Sequence, residues 1–200
     1  MNNIKRFISN CMTIALMAFG CVAFIACDNE KDDDSENVHG RLIANGLELS
    51  FSYGYYNHDN IDQECWSIWF YDFDYGKAAE SQDRSLIPSN FNMMGITLRT
   101  DTIVSDRIPT GDFTSFQVKI IENAPRADRK TYEYNASILK YHKIKADGKL
   151  TVTKNDDYKV TISDIELYAE GAFEGIGSGT DVKPLFKNAS FTYSGKLDNY

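Results

Sequence analysis

From Leu47 to Tyr55 every second residue is apolar: Leu47, Leu49, Phe51, Tyr53 and Tyr55 alternate with Glu48, Ser50, Ser52 and Gly54. Successive residues of an extended chain point to opposite sides, so this period of two predicts a strand with its apolar groups on one face. Arg41-Leu42-Ile43-Ala44 precedes it, and Asn45-Gly46 joins the two runs. That dipeptide tolerates the positive φ angles of a type I′ turn, which predicts a hairpin. The alternation recurs at Met94, Ile96 and Leu98, at Phe116, Val118 and Ile120, and at Tyr132, Tyr134, Ala136 and Ile138. Leu150 and Val152, then Tyr158, Val160 and Ile162, flank a turn at Asn155-Asp156-Asp157, and a last strand runs through Ala189, Phe191 and Tyr193. Cys65 to Phe73 is apolar on both faces until Asp72, the pattern of a central strand covered on both sides. No stretch keeps a helical period for three turns, and Lys77 to Arg84 is expected to form one surface turn of helix at most. The pattern predicts an all-β domain of about nine or ten strands, either an antiparallel β-sandwich or an up-and-down barrel, since both use alternating strands and tight turns.

The first residues break this pattern. Lys5 and Arg6 form a cationic start, Met12 to Ala26 is almost wholly apolar, and small Ala26 precedes Cys27. That is the layout of a secretory signal peptide. There are two rivals. One is Cys21 after Gly20, where Ala18 and Phe19 fit a lipidation site less well than Phe24-Ile25-Ala26 does. The other is an uncleaved membrane helix over Phe7 to Ala26, whose length approaches the roughly 20 residues that span a bilayer. Ser9, Asn10 and Cys11 interrupt its start. Phe24-Ile25-Ala26-Cys27 resembles the lipobox of bacterial lipoproteins, with Phe24 where most members carry Leu. The resemblance implies cleavage before Cys27 and lipidation of its thiol. The acid-rich run from Asp28 to Asp34 resembles the export signal that directs Bacteroidales lipoproteins to the cell surface; its charges also suit a solvated tether. GKLTVTKNDDYKVTI and FKNASFTYSGKLDNY look like the closing strands of small Bacteroidales lipoproteins, some calycin-like barrels and others sandwiches. The expected organisation is a signal peptide over 1–26, a tether over 27–38 and one β domain over 39–200. The expected address is the outer membrane, facing outward.

Charge and cysteine usage narrow the function. Lys5 and Arg6 leave with the signal while all 29 acidic residues stay, so the formal charge moves from −8 to −10. An acidic chain without a basic cluster is a poor partner for nucleic acid or for direct adsorption to anionic lipid. The expected membrane contact is therefore the lipid anchor alone. Cys11 and Cys21 leave with the signal and Cys27 is acylated, so Cys65 is the one thiol of the mature domain and no internal disulfide can form.

The candidate chemistry is sparse. His39, His58 and His142 have no metal-binding spacing, and Cys65 in its apolar strand is expected to be buried and inert. Gly175-Ile176-Gly177-Ser178-Gly179 lacks the Lys-Ser/Thr of a phosphate loop. Asn57, Asp59, Asn60 and Asp62 offer oxygen ligands for calcium but lack the EF-hand pattern. No cofactor or metal centre is expected. Asp72 and Asp74 sit on one face of a strand end, yet a glycosidase needs a carboxylate across a cleft, and nothing places Glu64, Asp164 or Glu166 there.

Aromatic residues crowd the same region. Trp66, Trp69 and Tyr71 beside Asp72 and Asp74 suit a carbohydrate-binding sheet, with rings for stacking and oxygens for hydroxyl groups. Trp66 and Trp69 have opposite parity, so one faces the core whatever the other does. Rings also dominate ordinary cores. Asp101-Thr102-Ile103 resembles the short acceptor at which Bacteroidales attach O-glycans, which implies modification at Thr102. The leading expectation is a surface binding or adhesion module, possibly for glycans. A barrel carrying a small molecule and a glycan-active enzyme are the alternatives.

Overall fold

The computed structural model describes residues 37–58, 65–100, 107–122 and 129–199. Cys27 and the tether up to residue 36, Asp59, Asn60, Asp62, Glu64 and the Asp101-Thr102-Ile103 site lie outside them. Among the described residues no helix is long and apolar enough to cross a membrane.

Strands β1 (Gly40–Ala44) and β2 (Leu47–Phe51) form the expected hairpin, Ala44 opposite Leu47, with Gly46 at φ +84° in the turn. Past Ser52 the chain continues as β3 (Tyr53–His58), which pairs with β4 (Cys65–Tyr71). Ser52 is where the sequence pattern misleads. The Phe51 carbonyl accepts from the His39 N–H, whereas the Ser52 N–H donates to the Tyr71 carbonyl, each at 2.9 Å. The pairing partner changes between these two residues, and the side-chain parity changes with it. Leu47, Leu49 and Phe51 enter the main core, but Tyr53 and Tyr55 join a second cluster.

The remaining strands are β5 (Met93–Arg99), β6 (Gly111–Phe113), β7 (Phe116–Ile121), β8 (Thr131–Asn135), β9 (Lys149–Lys154), β10 (Tyr158–Ala169), β11 (Phe186–Gly195) and β12 (Asp198–Asn199). They hydrogen-bond in the order β12-β3-β4-β5-β7-β8-β10-β11-β1-β2, with β9 also on β10 and β6 on β9. All pairs are antiparallel except β12 with β3. Long β10 changes partner along its length: residues 158–163 pair with β9, and Tyr168 and Ala169 pair with β8. Register shifts between Ile162 and Leu167, with Asp164 at φ +57°, interrupt its ladder to β11. Bulges bend a strand and increase its twist. The outcome is a curled sheet forming a half-barrel, all-β as the alternation predicts. Among the described residues the strand count rises to twelve because Ser52 divides one run and because β6 and β12 are too short to carry a pattern.

Among the described residues two α-helices interrupt the sheet. Helix α1 (Tyr75–Ser81) lies close to the expected position, followed by a 3-10 turn over Arg84–Leu86. Helix α2 (Ala136–Tyr141) replaces the end of a predicted strand. Asn135 Oδ1 accepts from the N–H groups of Ser137 and Ile138, both at 3.1 Å, and so caps a helix at the point where alternation still reads as strand.

Side chains fill the inside of the curl. Phe70 packs against Phe191 at 4.8 Å and Tyr193 at 4.7 Å between ring centroids, joining β4 to β11 across the interior. Ile68, Met94, Ile96, Leu150 and Val160 are fully buried around them.

Candidate functional site

The outer face of β4, β5, β7 and β8 carries what the inner face cannot. Inward-facing Trp66, Ile68 and Phe70 leave Cys65, Ser67 and Trp69 pointing outward. Register then aligns neighbours across the sheet. Trp69 lies opposite Gly95, Gly95 opposite Lys119, and Lys119 opposite Glu133. One step along, Ser67, Thr97, Gln117 and Asn135 form a parallel row. Cys65 and Arg99 begin a third.

Gly95 is the reason this face is hollow. A Cβ there would sit 2.3 Å from Trp69 Cζ3, so the six-membered ring of the indole fills the space a side chain at 95 would take. Three adjoining hollows follow. One of about 180 Å³ is lined by Trp69, Thr97, Gln117, Lys119, Glu133 and Asn135. A second of about 210 Å³ shares Thr97 and Gln117 with it and reaches Cys65, Arg99 and Ser137. The third, about 450 Å³, shares Glu133 with the first and Ser137 with the second, and extends to Tyr141, His142, Glu170, Phe173 and Glu174. Shared walls make them one trough.

Its polar groups are well defined. Lys119 Nζ bonds Glu170 at 2.5 Å, and that hydrogen bond holds the Glu170 carboxyl below the usual range. Burial pushes the Glu133 carboxyl up; the Gly171 N–H and the Lys119 charge oppose this, while Glu170 and Glu174 add to it. Asn135 spends its Oδ1 on the α2 cap, which leaves its amide NH₂ as a donor.

One end of the trough is walled by rings. Tyr55, Tyr71, Phe73 and Ala78 form the second buried cluster, with Trp69, Tyr75 and Phe91 packed on it. Tyr71 and Tyr75 stack at 4.7 Å with planes 6° apart. Asp74 Oδ1 accepts from Tyr55 Oη and from the Lys77 N–H, each at 2.9 Å, and so caps α1 over this cluster. Asp72 Oδ2 accepts from the Asn92 N–H at 2.7 Å, pinning the far end of the same connection.

The five residues expected to contact a ligand therefore separate. Trp69 lines the trough. Trp66 is 1% exposed inside the core and offers no platform, since its parity sends it inward. Tyr71 is buried beneath α1, and Asp72 and Asp74 hold the chain that covers it. His58, expected to be solvated, stacks on Trp66 at 4.3 Å. Cys65 is half-buried on the outer face rather than sealed in the core. Asp164 and Glu166 gather with Lys145, Asp147 and Asn188 around a separate hollow of about 300 Å³. Among the described residues no group of three His, Cys, Asp or Glu side chains is arranged to hold a metal ion.

Sequence reasoning missed Thr97, Gln117, Lys119, Glu133 and Asn135. Each reads singly as an ordinary outward residue of an alternating strand. Only the register between β5, β7 and β8 assembles them. No family model, curated protein or solved structure matches the chain, so the trough is interpreted from its own geometry.

Proposed function

We propose that the trough binds a saccharide, on a protein anchored through Cys27 at the outer membrane and displayed outside the cell. The observation that carries the reading is the seating of Trp69 over Gly95, beside a row of neutral hydrogen-bonding side chains. A sugar ring presents an apolar C–H face and a rim of hydroxyl groups. The indole face receives the first, and Thr97, Gln117 and Asn135 together supply donors and acceptors for the second. Interior packing supports an outer site, because Phe70, Phe191 and Tyr193 occupy the middle of the curl. The lipobox-like end at Cys27 and the acidic run after it support the address.

A shallow site with one stacking ring binds weakly, with Kd from high micromolar to millimolar, about −4 to −6 kcal/mol. Glycan-array screening followed by calorimetry on the full chain tests the activity. Binding by the parent and its loss in Trp69→Ala is the expected result, and silence across neutral, acidic and basic glycans overturns it. Fractionation tests the address: Cys27→Ala should leave the membrane fraction, and a variant that stays there like the parent would count against lipidation.

A further inference from the structure

Charge is not spread evenly along the trough. Its carboxylates, Glu133, Glu170 and Glu174, gather in the large hollow beside α2. Lys119 bonds Glu170 and faces Glu133 across the sheet, so that cation is already engaged. The hollow of about 210 Å³ at the start of β4 differs. Arg99 is the charged group in its wall, and none of the described residues lining it carries a carboxylate.

Arg99 is exposed at the end of β5, opposite Cys65, and points outward because Met94, Ile96 and Leu98 point inward. A guanidinium presents five N–H donors in a planar fork, so one neighbour leaves donors over. The hydroxyls of Thr97, Ser115 and Ser137 and the amide of Gln117 add further donors around it. A carboxylate only accepts, and arginine binds one through two parallel hydrogen bonds. An ammonium group there would meet a like charge, and a neutral hydroxyl would forgo the charge altogether.

Size and spacing fix the kind of molecule. About 210 Å³ falls below the roughly 300–1,000 Å³ of a complete small-ligand pocket, so the hollow takes one end of something longer. Thr97 and Gln117 also line the hollow beside Trp69, which makes the path between the two continuous. Arg99 lies four residues along β5 from Gly95, about 13 Å at roughly 3.3 Å per residue. One sugar ring cannot reach both Trp69 and Arg99. A short chain of sugars can.

We propose that this hollow is a carboxylate subsite of the trough, so that the preferred ligand is an acidic oligosaccharide with a uronic acid unit at Arg99. The proposal rests on the saccharide reading above and adds the class of sugar. Calorimetry on the full chain in detergent tests it with tetragalacturonate, its fully methyl-esterified form and acetate. Cys65, in the same wall, supplies a local readout: its rate of alkylation by iodoacetamide, followed on its own peptide by mass spectrometry. The acid should bind about tenfold more tightly than the ester, equivalent to about 1.4 kcal/mol, and should slow alkylation severalfold. Added salt should shrink the preference. Arg99→Gln should abolish it, and Arg41→Gln on distant β1 should leave it unchanged. Equal binding of acid and ester overturns the carboxylate subsite and leaves the saccharide reading standing. Acetate that protects Cys65 in the parent but not in Arg99→Gln, with neither sugar bound, sustains the subsite and overturns the saccharide reading. A preference that survives Arg99→Gln, one that falls equally in Arg41→Gln, or no binding of any probe overturns the subsite.

Discussion

Trp69 and Gly95 face each other across β4 and β5, and the indole occupies the space that any side chain at 95 would need. The glycine thus sets both the depth of the trough and the orientation of its ring. Gly95→Ala should push the indole off the sheet, because the added Cβ falls 2.3 Å from Cζ3. Overpacking of this kind costs about 1–3 kcal/mol. The expected outcome is a modest fall in the urea midpoint together with loss of saccharide binding. Unchanged binding in Gly95→Ala would separate the ring's seating from recognition.

The two tryptophans should behave differently. Trp66 is 1% exposed among core side chains, and truncating a large core aromatic costs about 3–5 kcal/mol. Trp69 is half-buried, packed on the second cluster and against Gly95. Trp69→Ala should cost about 1–2 kcal/mol, nearer a partly exposed site than a core one. Urea melts of both variants check the order. Equal losses would place both rings in the core and remove the platform.

Period two made the sheet legible, as Met94-Ile96-Leu98 and Phe116-Val118-Ile120 both face inward as predicted. Parity likewise foretold that Trp66 and Trp69 would part company, though not which one turns inward. Tyr53 and Tyr55 were illegible for a physical reason. The break at Ser52 arises from a change of hydrogen-bonding partner far along the chain, and no local pattern records that. Ala136 and Ile138 continue an alternation, yet the Asn135 cap prevails over it. The trough was hidden more deeply. Lys119 and Glu133 are meaningful only as neighbours, and register depends on every turn between the strands.

Asp74 should matter to stability rather than to binding. It caps α1 and holds the Tyr55 hydroxyl, whose oxygen in turn accepts from the Gly76 N–H at 2.9 Å. Asp74→Ala removes an N-cap and a side-chain bond, an expected loss of about 1–2 kcal/mol. Asp74→Asn keeps an acceptor and should lose less. Hydrogen exchange should speed up over residues 75–81 while saccharide affinity stays within about twofold of the parent. A large affinity loss with unaltered exchange would return Asp74 to the binding site.

Alkaline pH should unfold the domain through its tyrosines. Burial pushes the phenols of Tyr55, Tyr132 and Tyr168 above their ordinary value, with Asp74, Glu122 and Glu166 respectively adding to the shift. Tyr193, whose hydroxyl donates to the Lys196 carbonyl at 2.7 Å, is pushed up to about 12, again chiefly by burial. An unfolded tyrosine titrates near 10. Between pH 10 and 12 the unfolded chain therefore loses these protons while the folded chain keeps them. Fewer protons on the unfolded state means stability falls as pH rises. The contribution is fully present below pH 10 and is lost as pH climbs through the folded values. For Tyr193 the slope approaches about 1.4 kcal/mol per pH unit across that window. Urea midpoints from pH 9 to 12, read beside tyrosinate absorbance, should show ionisation arriving together with unfolding. Tyr193→Phe should start less stable, having lost a hydrogen bond, and decline less steeply. Phenols that titrate near pH 10 in a chain still folded would overturn the burial of all four.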